Sequence, residues 1–225
     1  MSNIINIGNK IIKRNFSTII RRSPLHDLHE NLKPKYGNFA GYNMPMNFNV
    51  NSIKNVAIGT RKEKSCSVFD VSHMGILDLS LIKDNEYIDC NDKNNFLKEI
   101  LEKIFPISIS DKKNYSLNKS ILTIMLNNKG NVIDDLIITN VDNYKFRLVV
   151  NAANKFFIRE TLYSQIKNMY NNEIEKINGS MINLSLTNNA ILAIQGELSE
   201  EIIFNYFKLD FSTLVFNDNI TLNNN

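Results

Sequence analysis

Apolar residues recur at helical spacing over Asn91–Phe105. Phe96, Leu97, Ile100, Leu101, Ile104 and Phe105 form one stripe, with Lys98, Glu99, Glu102 and Lys103 outside it. Pro106 ends this helix. The period then shortens. Ile121–Leu126, Val132–Thr139 and Lys145–Val150 are rich in β-branched and aromatic residues, and Asn127–Gly130 and Asp142-Asn143 separate them as short turns. Three strands so closely linked predict an antiparallel meander. Phe156–Tyr170 reads as a second helix with Phe157, Ile158, Leu162, Ile166 and Met169 as its apolar set. Val68–Leu81 reads as two extended pieces kinked at Ser72-His73, and Pro24 and Tyr36–Asn47 read as irregular structure with turns. A strand near Ala190–Ile194, a helix near Ser199–Phe207 and a strand near Thr213–Phe216 complete the chain. Helices mixed with hairpin-linked strands predict an α+β fold with a mainly antiparallel sheet.

The chain has 225 residues, 43% of them hydrophobic, enough for one sizeable domain or one domain and part of a second. No run of about 18 apolar residues is present, so no membrane-spanning helix is expected. The net charge of +3 is small, and basic residues gather on no predicted helix beyond the N-terminus, which argues against nucleic acid as a partner. Cys66 and Cys90 are too few for a disulfide framework. With only three histidines and no CxxC pair, no metal site is expected. Asparagine makes up roughly one residue in six, a compositional bias that devalues motifs built of Asn and Lys alone.

The N-terminus differs from the rest. Met1 to His26 holds no acidic residue, while Lys10, Lys13, Arg14, Arg21 and Arg22 are basic and Ser2, Ser17 and Ser23 add hydroxyls. Ile11–Ile20 can form a helix with Ile11, Ile12, Phe16, Ile19 and Ile20 opposite those cations. This is the pattern of a mitochondrial transit peptide over residues 1–22, with the matrix as destination. Lys13-Arg14 interrupt the apolar run that a secretory signal needs; a disordered basic tail is the other reading.

Asp134 and Asp135 are the most informative chemistry-bearing residues, because they interrupt an apolar strand. Side chains alternate across a strand, so Asp135 shares a face with Ile133 and Ile137, and Asp134 with Val132, Leu136 and Ile138. A carboxylate on a core-facing side is costly without a partner, and burial would raise its pKa and suit it to relaying a proton. A bulged or edge strand with both acids at the rim is the alternative. Phe69–Met74 holds His73, either a structural histidine or a functional one, and Met74, either a core residue or a soft surface for a flat heterocycle. Asn151 and Asn154 follow directly on a strand, where an amide can read a ring edge or cap the next helix.

These same segments carry a resemblance. Arg22–Leu25, Phe39–Met46, FDVSHMG at Phe69–Gly75, Gly130–Leu136, VVNAAN at Val149–Asn154 and Ala193–Gly196 occur in the order and near the spacing of the words that mark the aminomethyltransferase (T-protein) family of the glycine cleavage system. The chain thus resembles that family from Arg22 to about Phe216. The resemblance implies a folate-binding T-protein fold over residues 23–225. Its ferredoxin-like central part would span roughly residues 55–180, within a second antiparallel sheet begun by Ser23–Lys54 and resumed after Met181. That second sheet would be incomplete and the family's C-terminal β domain absent. It implies that the lipoyl arm of the H-protein delivers an aminomethyl group, that tetrahydrofolate takes the methylene, and that ammonia leaves. Asp135 would be the catalytic residue beside the pterin nitrogens, hydrogen-bonding folate and tuning proton traffic, and Met74, Leu122, Asp135 and Asn151 would contact folate. Leu122 departs from the Tyr of some members.

Two further departures are Asn131 for the second glycine of a GG pair, in a turn that Asn's tolerance of positive φ can preserve, and Glu197 for a proline, expected to be minor. The family's later folate-contacting words are not in this chain, so a fragment is expected. A truncated, non-catalytic folate-binding protein of the same fold is the rival reading. The relatives of this fold that act in iron–sulfur maturation carry a KGCYxGQ-like word that this chain lacks.

Overall fold

The computed structural model describes residues 6–7, 10–11, 20–48, 52–83, 86–87, 91–109, 116–142, 144–170 and 181–222. Its elements are β1 (Asn6–Ile7), β2 (Lys10–Ile11), β3 (Arg21–Arg22), α1 (His26–Asn31), β4 (Pro34–Phe39), β5 (Tyr42–Phe48), α2 (Ile53–Thr60), β6 (Ser67–Asp70), β7 (Gly75–Lys83), β8 (Glu86–Tyr87), α3 (Asn91–Ile104), β9 (Ser120–Leu126), β10 (Val132–Asp142), β11 (Lys145–Val150), α4 (Lys155–Tyr170), β12 (Met181–Thr187), β13 (Leu192–Gln195) and α5 (Ser199–Phe207). β1 pairs with β2, so Ile11 of the expected N-terminal helix is in a strand. Residues 12–19 of that helix, and Cys90, lie outside the described residues.

The two longest helices expected from apolar spacing close the core. α3 buries Leu97, Ile100 and Leu101, with Phe105 buried just beyond its end. α4 buries Ile158, Leu162 and Ile166, one residue per turn on one face. Phe157, expected on that stripe, is 57% exposed, because it is rotated about 100° from Ile158 around the helix. The sheet beneath them is antiparallel throughout, in the order β12-β7-β11-β10-β9, with β8 added beside β7. The expected meander is its β9-β10-β11 part. The order β7-α3-β10-β11-α4-β12 along the chain, with β11 lying between β7 and β10, is the ferredoxin-like pattern. Leu77, Leu79, Leu81, Met125, Leu136, Ile138, Phe146, Leu148 and Val150 face the helices and are buried. Each such aliphatic or aromatic residue contributes about 1.5–3 kcal/mol.

Three expectations change. β12 pairs with β7 from Met181↔Ile82 to Thr187↔Ile76, so the ferredoxin-like part runs a few residues past 180, and the strand that follows it, β13, pairs with β6 and not with the β4–β5 hairpin. The reason β12 joins is the alternation Ile182, Leu184, Leu186, which packs against the central core. Tyr36–Asn47 is not irregular: β4 and β5 form a hairpin whose turn residues Ala40 and Gly41 both adopt positive φ, +49° and +81°. β3 adds to it in parallel. Thr213–Phe216 forms no strand; it is a turn region tied down where Asp218 bridges to Lys119. Two small sheets thus flank the central one, β3-β5-β4 and β13-β6. The kink expected between Val68 and Leu81 separates β6 from β7. No helix among the described residues is long and apolar enough to cross a membrane.

Candidate functional site

The end of β10 is shaped by its turn. Asn127 Oδ1 accepts the N–H groups of Lys129 and Asn131, and Gly130 alone in this turn takes positive φ, so Asn131 needs no left-handed conformation. The register of β10 against β9 then shifts between Val132 and Asp134, a bulge that leaves Ile133 unpaired and sets Asp135 opposite Ile124. The bulge is present, but it brings only one of the two acids to the rim. Asp135 is exposed, and Asp134, half-buried on the helix side, is held by amides instead of apolar groups.

Those amides come from the segment after β11. Asn151 Nδ2 donates to Asp134 Oδ1 at 2.9 Å, to Asp135 Oδ1 at 2.9 Å and to the Asp135 carbonyl at 3.2 Å. Asn154 Nδ2 donates to Asp134 Oδ2 at 3.0 Å. Asn154 stands at the start of α4, where its carbonyl accepts the Ile158 N–H, but its side chain serves Asp134 instead of capping the helix.

Strand register brings the sequence-derived residues into one row. Gly75 pairs with Val150 and Val150 with Leu136. One residue further along lie Met74, Asn151 and Asp135, and Asp135 pairs with Ile124. Leu122 sits two residues from Ile124 on the same face, opposite Ile137; it is 62% exposed and Ile137 39%. Met74, Asn151 and Asp135 thus fall in one row across three neighbouring strand ends, with Leu122 on the next strand, on the same side of the sheet as Asp135. That face offers apolar surface beside an exposed carboxylate and an amide.

The turn carrying Met74 is braced from below. Asp70 accepts hydrogen bonds from Ser23 Oγ at 2.5 Å and from the Ser72 N–H at 2.8 Å, and its carboxylate lies 3.3 Å from His29 Nε2. Ser72 Oγ accepts the Ile191 N–H at 2.8 Å. His73 packs edge-on to Phe39, with ring centroids 5.0 Å apart, and its buried Nδ1 has no hydrogen-bond partner. Burial first, and the Lys155 cation second, hold its pKa below the ordinary histidine value, against the pull of Asp70. Lys155 is a residue the sequence reading missed. Its ammonium donates to the carbonyls of His73 and Met74. A cation at the first position of a helix, where the dipole disfavours it, was the available signal. Glu197, in the proline position of the family word, accepts the Lys64 N–H at 2.7 Å, a contact proline could not make.

A cleft of about 500 Å³ lined by Ala57, Thr60, Arg61, Phe69, Gln195 and Gly196 shares no residue with this row. Among the described residues, no group of three His, Cys, Asp or Glu side chains is placed to hold a metal.

Comparison with known proteins gives a consistent result. A family model described as "GCVT N-terminal domain" matches residues 25–218. An aminomethyltransferase of Thermoanaerobacter sp. is 30% identical over 90% of this chain and 48% of its own length. A protein named as a probable mitochondrial aminomethyltransferase of Schizosaccharomyces pombe is 29% identical over 92% of this chain and 48% of its own. The crystal structure of glycine cleavage system aminomethyltransferase T from Bartonella henselae superposes with a TM-score of 0.68 at 23% identity, over 88% of this chain and 46% of that one, and shares its fold. The chain spans about half the length of these relatives. With its central sheet, its words and the matched span in agreement, the chain belongs to the family of the GCVT N-terminal domain.

Proposed function

We propose that this chain is the N-terminal portion of a glycine cleavage aminomethyltransferase. The reaction transfers the methylene of the aminomethyl group on dihydrolipoyl H-protein to tetrahydrofolate, with release of ammonia. The observation that carries the reading is the row of Met74, Asn151 and Asp135, with Leu122 on the next strand, four residues that the register places at one end of neighbouring strands. A flat heterocycle with a hydrogen-bonding edge fits that combination: Leu122 and Ile137 offer exposed apolar surface, and Asp135 and Asn151 offer an acceptor and a mixed donor–acceptor.

In this role tetrahydrofolate supplies the nucleophilic nitrogen. Asp135 hydrogen-bonds the pterin and takes up or returns a proton as that nitrogen attacks, while Asn151 holds the Asp135 carboxylate in place and Met74 packs against the ring. The chemistry is positioning and electrostatics, with no covalent enzyme intermediate. Lipoylated H-protein is the partner, and the mitochondrial matrix is the proposed location. The basic, acid-free N-terminus and the mitochondrial relative in S. pombe support that location.

Calorimetric titration with tetrahydrofolate tests the reading. Wild type should bind, and Asp135→Ala and Asn151→Ala should each weaken binding about tenfold or more, the loss of one charge-assisted contact. A wild type that does not bind, or variants that bind as well as it does, would sink the assignment.

A further inference from the structure

Lys155 is 4% exposed, so its cation has been taken almost wholly out of water, a costly step unless the charge is matched. Among the described residues no carboxylate lies within 4.0 Å of its ammonium. Two consecutive carbonyls receive it instead, that of His73 at 2.9 Å and that of Met74 at 3.4 Å. The Tyr42 ring lies beneath the ammonium at 4.3 Å and the Phe156 ring at 5.7 Å. The stem of the side chain is held as tightly. A Cβ added to Gly75 would come within 2.9 Å of Lys155 Cβ, 3.1 Å of its Cδ and 2.7 Å of Val150 Cγ2. The aliphatic part of Lys155 therefore lies directly on the Gly75 backbone, and its charged end draws in the two preceding carbonyls.

We propose that Lys155 is a positioning residue of the candidate folate site, gripping the His73–Gly75 backbone so that Met74 stays in line with Asn151 and Asp135. This role rests on the folate reading above. Lys155 follows Asn151 by four residues, so one short segment supplies both the amide that gathers Asp134 and Asp135 and the cation that seats Met74. Through Tyr42 the same cation also ties β5 of the hairpin to the central sheet. A structural lysine would need only to fill space. This one directs hydrogen-bond donors at the peptide that carries a site residue, a use that charge-assisted bonds to carbonyls reward.

A double-mutant cycle in tetrahydrofolate binding, made in the full chain, tests the role. Lys155→Met keeps the stem and removes the charge, and should weaken binding about tenfold. Lys155→Arg, which keeps the charge and donors, should bind close to wild type. In a Met74→Ala background Lys155→Met should cost almost nothing further, because the side chain it seats is gone. Equal losses in both backgrounds, or unchanged binding by Lys155→Met, would overturn the role. If Lys155→Met does not fold, Lys155→Gln enters the same cycle with the same criterion. A second readout needs no folate. Removing the cation should raise the His73 titration midpoint followed by NMR, and an unmoved midpoint would show that the ammonium does not sit against that turn. Wild type that fails to bind tetrahydrofolate overturns the folate reading and this role together. Wild type that binds, with Lys155→Met binding equally well, overturns the role alone.

Discussion

The two faces of the central sheet are built from the same strands and differ in polarity and in exposure at the β9–β10 edge. The face toward α3 and α4 is mainly apolar and closed: Leu77, Ile138, Phe146 and Val150 have no exposed surface, and Thr123 and Asn140 are buried there too. On the other face, Asp78 is buried in a two-pronged pair with Arg147, at 2.8 and 3.0 Å, with the Lys145 ammonium 4.0 Å away. Toward the β9–β10 edge that face opens to solvent, with Leu122 and Ile137 exposed beside Asp135. One-residue alternation lets a strand give stability on one side and present chemistry on the other. A residue's effect when mutated should therefore follow its parity along the strand more closely than its hydrophobicity.

Substitutions that separate the faces test this, and the largest effect belongs to the helix side. Phe146→Ala should lower unfolding free energy by about 4 kcal/mol in a denaturant titration, the cost of a large cavity in a closed core. One residue away, Arg147→Met should cost about 2 kcal/mol in the same measurement. It leaves the buried Asp78 carboxylate short of its bidentate partner, and the partial exposure of Arg147 tempers the loss. The hydrogen bond to Asp78 is also the main cause holding the Arg147 pKa above its ordinary value. The smallest effect on stability belongs to Leu122→Ser, within about 0.5 kcal/mol despite the loss of a leucine. Binding of tetrahydrofolate should weaken all the same. A Leu122→Ser variant as unstable as Phe146→Ala would break the distinction between the faces; one that is stable and binds less would sharpen it.

The helices α3 and α4 and the β9-β10-β11 meander were legible because each announces itself within its own segment, through a period or a pair of short turns. The β4–β5 hairpin was not. Pro34, Gly37 and Pro45 fall inside its strands, so its propensities read as loop, and pairing overrides them. Thr213–Phe216 failed the opposite way. It is locally strand-like, yet among the described residues no strand pairs with it, and Val215 and Phe216 are exposed. At the candidate site, residue chemistry alone left Asp134, Asp135, His73 and Met74 open between functional and structural roles. The resemblance chose Met74, Leu122, Asp135 and Asn151, and Lys155 was missed because its one local signal, a cation at a helix start, is weak and its burial depends on the turn packed against it.

The sequence by itself determined the α+β class, the helix stripes, the turn chemistry at Gly130 and the family. All of these are written in contiguous residues or in the order of short words. Tertiary structure decided the register that lines up Met74, Asn151 and Asp135, the bulge that brings Asp135 to the surface, the placement of β12 in the central sheet and the burial of Lys155. Each depends on which strand or turn lies alongside, and a pairing energy exists only once two distant segments have met.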